Sequence, residues 1–203
     1  MNEPGLRARK MARTRNQIAE AALAAFIARG YDATTLEEIA EAAEVHKRTL
    51  LRYFPTKTHL VLHRQHAAYA QFQAALAGRG DTPVIDVWQS HVVEHARALT
   101  LRGPAANIGR LAMKEPAVRQ AVLDIRQQYQ RAVARALDEE TALNEEAGGS
   151  GDGRIWSRVV AAALIGGNYA VADMILRDDD YTDLERAELQ VIRLVREGLL
   201  AGR

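Results

Sequence analysis

The 203-residue chain contains no cysteine, and that absence removes disulfide frameworks, thiol catalysis and cysteine-ligated zinc together. It has no run of about 18 or more apolar residues of the kind that crosses a bilayer, and no apolar segment that a signal peptidase would recognise follows the basic stretch from Met1 to Arg15. The expectation is a soluble, cytoplasmic protein with no membrane partner, whose chemistry is left to oxygen, imidazole and charge. The period-two alternation of half-buried strands is missing as well, which leaves an all-α chain. Net charge is slight, +1, but unevenly spread: residues 1–60 hold ten Lys+Arg against seven Asp+Glu, so the basic excess sits at the front. Within it Arg7, Arg9, Lys10, Arg13 and Arg15 face only Glu3, a short positive arm able to lie along phosphates. Residues 1–13 are read as a disordered basic arm.

What is present is helical periodicity along nearly the whole chain, about nine helices in two small domains that share helices. The first helix spans about Thr14 to Arg29, with Ile18, Ala22, Leu23, Phe26 and Ile27 on one face, and Gly30 stops it. After the connector Tyr31 to Thr35, Thr35 and Glu38 form a capping box that starts a second helix through Ala43. A break at Glu44-Val45 precedes a third helix, His46 to Phe54, which Pro55 ends for want of an amide hydrogen. Thr56 caps a fourth to about Ala77, and a fifth runs from Thr82 to Leu101. Gly103-Pro104 opens a short sixth, Pro116 begins a seventh to about Thr141, and an eighth covers Arg154 to Leu176. A second capping box, Thr182 with Glu185, starts the ninth. The glycines from Gly148 to Gly153 read as a flexible loop, since no strand precedes them and no Gly-Lys-Ser/Thr follows.

Residues Leu36 to Phe54 are the informative segment. Two short helices crossing steeply need a small residue where they touch and apolar residues on both inward faces, and Ile39, Ala40, Ala43, Val45 and Leu50 meet that need. His46, Lys47, Arg48, Thr49 and Arg52 then point outward, as donors for base edges or phosphates in a major groove. Tyr53 and Phe54 pack back on the first helix or reach the backbone.

From Thr14 to Leu60 the chain resembles the DNA-binding domain of the tetracycline-repressor (TetR) family. Arg15 to Ala22, Phe26, Arg29 to Thr35, Ile39-Ala40, Val45, Thr49-Leu50 and Arg52-Tyr-Phe-Pro-Thr-Lys57 carry the likeness without a gap. The resemblance implies a helix-turn-helix domain over residues 14–60 and an effector-binding and dimerisation domain over 61–203. It implies double-stranded operator DNA as partner, met by Thr35, His46, Lys47, Arg48, Thr49, Arg52 and Tyr53, with Lys57 on a phosphate at a helix N-terminus. Three residues depart from the family pattern. Glu44 replaces the usual turn glycine, His46 the usual serine or threonine cap, and Leu51 an aromatic that often touches phosphate.

The later helices carry the remaining expectations. Ala162, Ala163, Gly166, Gly167 and Ala170 form a smooth stripe, with Ile192, Val195 and Leu199 opposite, and the family likeness makes these a homodimer interface. A two-fold dimer would set the reading helices about 34 to 36 Å apart, matching a palindromic operator. Phe72, Trp88, His91, His95, Met113, Tyr129, Asn168 and Tyr169 are the candidate wall of a pocket for an unknown small-molecule effector. Histidines 59, 63 and 66, and 91 and 95, recur at helical spacing. With only Asp86 and Glu94 near in sequence, they are read as holding no metal. Asp178 to Asp180 lack the glycine and distal glutamate of a calcium loop. No nucleophile, base and orienting group stand at readable spacing, so neither an enzyme nor a cofactor is expected. The leading expectation is an effector-released repressor. A helical small-molecule or metal sensor with weakened DNA binding stays open, on Glu44, His46 and Leu51.

Overall fold

The computed structural model describes residues 5–100, 110–111, 114–144, 152–178 and 182–200; every regular element among them is helical. We number the helices α1 (Leu6–Arg29), α2 (Leu36–Ala42), α3 (Lys47–Tyr53), α4 (Lys57–Val61), α5 (His63–Ala77), α6 (Val84–Thr100), α7 (Pro116–Asn144), α8 (Asp152–Asp178) and α9 (Leu184–Val195). A five-residue π-helical turn, Arg196–Leu200, continues α9. The expected sixth helix falls mostly outside the described residues, as do Met113 and Gly148 to Gly151. Asp152 and Gly153 belong to the first turn of α8, not to a loop.

Two compact units form. The first holds Met1–Arg64 with Leu111–Ala121, and the second holds Gln65–Arg110 with Val122–Arg203. The segment Leu111–Ala121, expected in the second domain, thus clusters with the first unit.

In the first unit α1 begins at Leu6, not at Thr14, so the stretch expected to be disordered is helical from Leu6 onward. No helix breaker separates Leu6 from Thr14, although Gly5 offers no side-chain cap and no acid occupies the first turn. Ile18, Ala22 and Phe26 are buried, whereas Ile27 is 57% exposed, one position off the inward face assigned to it. Gly30 ends the helix at φ +90°, backbone that a side chain would strain. The single helix expected from Thr56 to Ala77 is broken at Leu62 (φ −93°, ψ 14°). Leu60, Val61 and Leu62 are all buried. Three consecutive residues on a helix that turns about 100° per residue cannot all face one core, so the chain leaves the helix there.

In the second unit α8 and α9 run antiparallel. The Trp156 indole N–H donates to the Leu199 carbonyl at 3.3 Å, and Asn168 Nδ2 to the Glu188 carbonyl at 2.9 Å, which fixes their register. A Cβ at Gly167 would lie 2.4 Å from Val191 Cγ1, so glycine is what lets the two helices meet. An 18-residue window of α8 within Arg154–Asp178 has mean hydropathy 1.7, enough by length and composition to cross a membrane. Its contacts with α9 are those of a helix that builds a core. Asp183, not the expected Thr182, is the N-cap of α9, and Glu185 pairs with Arg97 at 3.5 Å.

Candidate nucleic-acid interface and effector pocket

The helix-turn-helix is assembled by local chemistry that its sequence announces. Thr35 Oγ1 accepts from Glu38 N at 3.2 Å, and Glu38 Oε2 accepts from Thr35 N at 2.8 Å, closing the capping box that starts α2. Those bonds and the adjacent Arg29 hold the Glu38 carboxyl below its ordinary range. Thr34 is buried and donates its hydroxyl to the Gly30 carbonyl at 2.7 Å. The turn is secured by Val45 N donating to Ala40 O at 2.9 Å and by Gln17 Nε2 of α1 donating to Ala43 O at 3.1 Å. Glu44 sits at φ +52°, the left-handed backbone its position in the turn demands. His46 is the N-cap of α3 and makes no side-chain cap bond.

Helix α3 stands out from this frame. Leu50 is fully buried and anchors it, while His46, Lys47, Arg48, Leu51 and Arg52 are exposed and Thr49 and Tyr53 are half-buried. Arg48 makes no ion pair or hydrogen bond among the described residues. Lys47 Nζ is held by the Glu37 carboxylate of α2, and that bond lowers the Glu37 pKa. The Arg52 guanidinium lies 5.4 Å from the Tyr53 ring centroid. Tyr53 also lines an open groove of about 380 Å³ with Leu6, Arg7, Lys10, Met11 and Thr14 of α1, so the basic first turns of α1 flank the end of α3. Phe54 is buried beneath Arg15 and meets His63 edge-on at 5.4 Å.

Two of the side chains expected to face DNA are committed elsewhere. The Thr35 hydroxyl is spent in its cap. Lys57 Nζ donates to the carbonyls of Tyr31 (3.0 Å) and Asp32 (3.2 Å) and lies over the Tyr31 ring, which leaves one of three ammonium hydrogens for a phosphate. It ties α4 to the α1–α2 connector before it does anything else.

Seven of the eight candidate pocket residues are described, and four form one body of rings. Phe72, Trp88, His91 and Tyr129 touch in every pairing, with centroids 5.0 to 5.6 Å apart. Tyr69, which the sequence did not flag, adds an edge contact to Tyr129 at 4.9 Å. Trp88 Nε1 donates to Asn168 Oδ1 at 3.0 Å, so Asn168 bridges the rings to the Glu188 carbonyl. Tyr169 lies under the Arg126 guanidinium, 5.6 Å away. Burial holds the ionisable members neutral: it pushes His91 down to about 4, lowers His95, raises Tyr169 to about 12 and raises Tyr129 well above the usual phenol range. Among the described residues no group of three or more His, Asp or Glu is arranged to hold a metal ion.

Sequence reasoning missed Glu188. It is 2% exposed, its Oε2 has no hydrogen-bond partner, and burial alone pushes its carboxyl up to about 8. The signal was there: Leu184, Glu188, Ile192 and Val195 recur on one face of α9, which puts an acid in a core stripe.

The expected dimer surface divides. Ala162, Ala170 and Leu199 are exposed, and Ala163, Gly166 and Gly167 are half-buried. Ile192 and Val195 are buried within the protomer, at 1% and 7%, and give a partner nothing to touch. Gly167 is closed by Val191, and a Cβ at Gly166 would lie 3.1 Å from Arg126 Nη2, so both glycines serve packing inside the chain.

Residues 18–63 match the family model described as "Bacterial regulatory proteins, tetR family". That stretch contains the capped α2, the turn at Glu44 and the whole of α3. Over those residues the chain is similar to the DNA-binding region of TetR-family regulators. Over 85 residues it is 48% identical to the HTH-type transcriptional regulator TcmR of Streptomyces glaucescens, covering 41% of this chain and 38% of that one. The alignment thus spans well under half of the named relative. The fatty acid degradation regulator FadR of Bacillus halodurans shares the fold over 98% of both chains, with TM-score 0.64 and 19% identity. SmeT of Stenotrophomonas maltophilia does so over 90% of this chain and 88% of its own, with TM-score 0.62 and 19% identity. The all-α fold of these solved regulators therefore covers most of the chain.

Proposed function

We propose that the chain is a cytoplasmic transcriptional repressor that binds a palindromic operator as a homodimer and is released by a small-molecule effector. The observation that carries this reading is α3: a helix anchored by one buried leucine, with Arg48 unengaged and Lys47 and Arg52 at its surface, mounted on a capped helix-turn-helix. SmeT is described as the repressor of a multidrug efflux pump, and FadR of Thermus thermophilus, of the same fold, as a repressor in complex with lauroyl-CoA. The first supports a repressor here, and the second a repressor that holds a small molecule. Residues 14–60 do the reading, residues 61–203 the sensing and pairing.

Helix α5 supplies a route for release. Phe72, in the ring cluster, and His63, against Phe54 at the end of the reading helix, belong to that one helix. A ligand that parts the rings and fits only a shifted α5 moves the population away from the DNA-competent state. Pairing is assigned to the outer face of α8, where Ile155, Val159, Ala162, Ala170 and Met174 recur at spacings of a single helix face, together with Leu194 and Leu199.

A gel-shift titration on the DNA upstream of the chain's own gene tests the reading. Arg48→Ala is expected to weaken specific binding by about 1–3 kcal/mol and to leave random-sequence binding nearly unchanged. Equal losses on both DNAs would remove Arg48 from base reading. Absence of any shift with the unaltered protein would favour the second reading, a sensor with weakened DNA binding, for which the strained Glu44 and uncapped α3 speak.

A further inference from the structure

The second unit holds a buried acid, Glu188, one of whose carboxyl oxygens has no hydrogen-bond partner among the described residues. Glu188 lies on the inward stripe of α9, a turn from Leu184 and Ile192, and Leu184 packs with Ala96 of α6 and Ile175 of α8. Among the described residues its Oε2 is buried without a partner and no neighbouring charge acts on it; burial is the cause of its displaced ionisation. A carboxyl so placed costs stability, and the loss is recovered only when a charged or hydrogen-bonding partner arrives. Around it, on the two helices and the π-helical turn packed against α9, the charged groups are already matched or in solvent. Asp86 pairs with Arg196, Arg97 with Glu185 and Arg177 with Asp173, and Glu94, Arg154 and Arg158 are exposed. His91, His95 and Tyr169 are kept neutral by burial. Asn168, which donates to the Glu188 backbone carbonyl, accepts from Trp88, and so joins this residue of α9 to the cluster of Trp88, Phe72, Tyr129 and His91.

We infer that the effector site is built for a lipophilic organic cation, an ammonium on an aromatic or alicyclic body, with Glu188 as its counter-charge and the ring cluster as the surface that takes its body. This inference rests on the ligand-released reading above and names the ligand class of that site. A π-face attracts a cation as well as an apolar body, and the orphan acid makes the preference for charge strong. In the empty protein Glu188 holds its proton at neutral pH. Binding a permanent cation ionises it, and the proton leaves to solvent.

Full-length protein carrying Trp156→Phe, so that Trp88 is the reporting fluorophore, is titrated with benzyltrimethylammonium and with its neutral isostere neopentylbenzene. The charged probe is expected to bind at least about tenfold more tightly. In calorimetry at pH 7 it should release close to one proton, about the protonated fraction of an acid with a pKa near 8. Glu188→Gln should erase both the preference and the proton release, and Glu188→Leu should raise the melting temperature of the empty protein. Equal binding of the two probes, or charged-probe binding that survives Glu188→Gln, overturns the inference. So does a sharp fall in melting temperature for Glu188→Leu, which would make the carboxyl a support of the fold. The gel shift of unaltered protein is scored separately. If DNA binding is present and the cation preference absent, only this inference falls; if DNA binding is absent, the regulator reading falls.

Discussion

Glu44 shows how much one residue can say. A non-glycine side chain at φ +52° sits in backbone that disfavours L-residues by roughly 1 kcal/mol. It is also an exposed acid in the turn just before the reading helix, where phosphates would approach. Both facts point the same way. Glu44→Gly is expected to stabilise the first unit by about 0.5–1 kcal/mol and to tighten DNA binding on every sequence alike, because it removes strain and repulsion without touching a base-reading group. Urea unfolding followed beside a gel shift checks this; a loss of stability would show that the Glu44 side chain makes a contact worth more than the strain. The turn was legible from sequence because the strain is local: the spacing of Ala40, Ala43 and Leu50 leaves one residue to reverse the chain. Glu188 was harder to see. It shares one face of α9 with Leu184, Ile192 and Val195, and the periodicity that marks a core stripe gives no reason for an acid inside it.

Elements were legible where a local bond decides them and illegible where a choice between equal locals is made by packing. Thr34 stands beside Thr35, but its buried hydroxyl is taken by the Gly30 carbonyl, and the Thr35 box forms as read. Thr182 and Asp183 are adjacent and both able to cap; the chain starts α9 after Asp183 because Leu184 must enter the core and Arg97 draws Glu185 away. The break at Leu62 likewise comes from the core. At the front, charge alone suggested disorder for residues that continue α1 to Leu6, with Arg7 and Lys10 near the positive end of the helix dipole and no acid within the helix's first turn. A phosphate lying there would meet both the helix end and the basic side chains. Replacing Arg7, Arg9, Lys10 and Arg13 by glutamine should lower affinity on all DNA and reduce the salt slope by up to about 3–4 counterions. An unchanged slope would place these turns away from the duplex. Helix α8 makes a separate prediction: Val159→Glu, 50% exposed on its outer face, should shift the protein to monomer in sedimentation without lowering monomer stability by more than about 0.5 kcal/mol. A dimer that survives would put the interface elsewhere.

For the molecule as a whole, the buried groups of the second unit set how stability follows pH. Glu188 titrates near 8 when folded and near 4.5 when unfolded. Between those values the unfolded chain has released a proton that the folded chain keeps, so this contribution is fully present below about pH 4.5 and is lost as pH rises toward 8. His91 acts in the opposite sense. Its pKa falls from 6.5 to about 4 on folding, so below 6.5 the unfolded chain takes up a proton that the folded chain refuses, and stability falls as pH drops toward 4; the lowered His95 adds to the same side. The two slopes, each at most about 1.4 kcal/mol per pH unit, offset one another from 4.5 to 6.5, and from 6.5 to 8 Glu188 acts unopposed by these histidines. Urea unfolding at pH 5, 6, 7 and 8 should therefore show Glu188→Gln gaining on the unaltered protein as pH rises, with most of the difference appearing by pH 8. His91→Gln should flatten only the acid limb. Curves that stay parallel across the range would mean that water reaches the Glu188 carboxyl in solution, and the pocket would then lose the low-dielectric interior on which its chemistry depends.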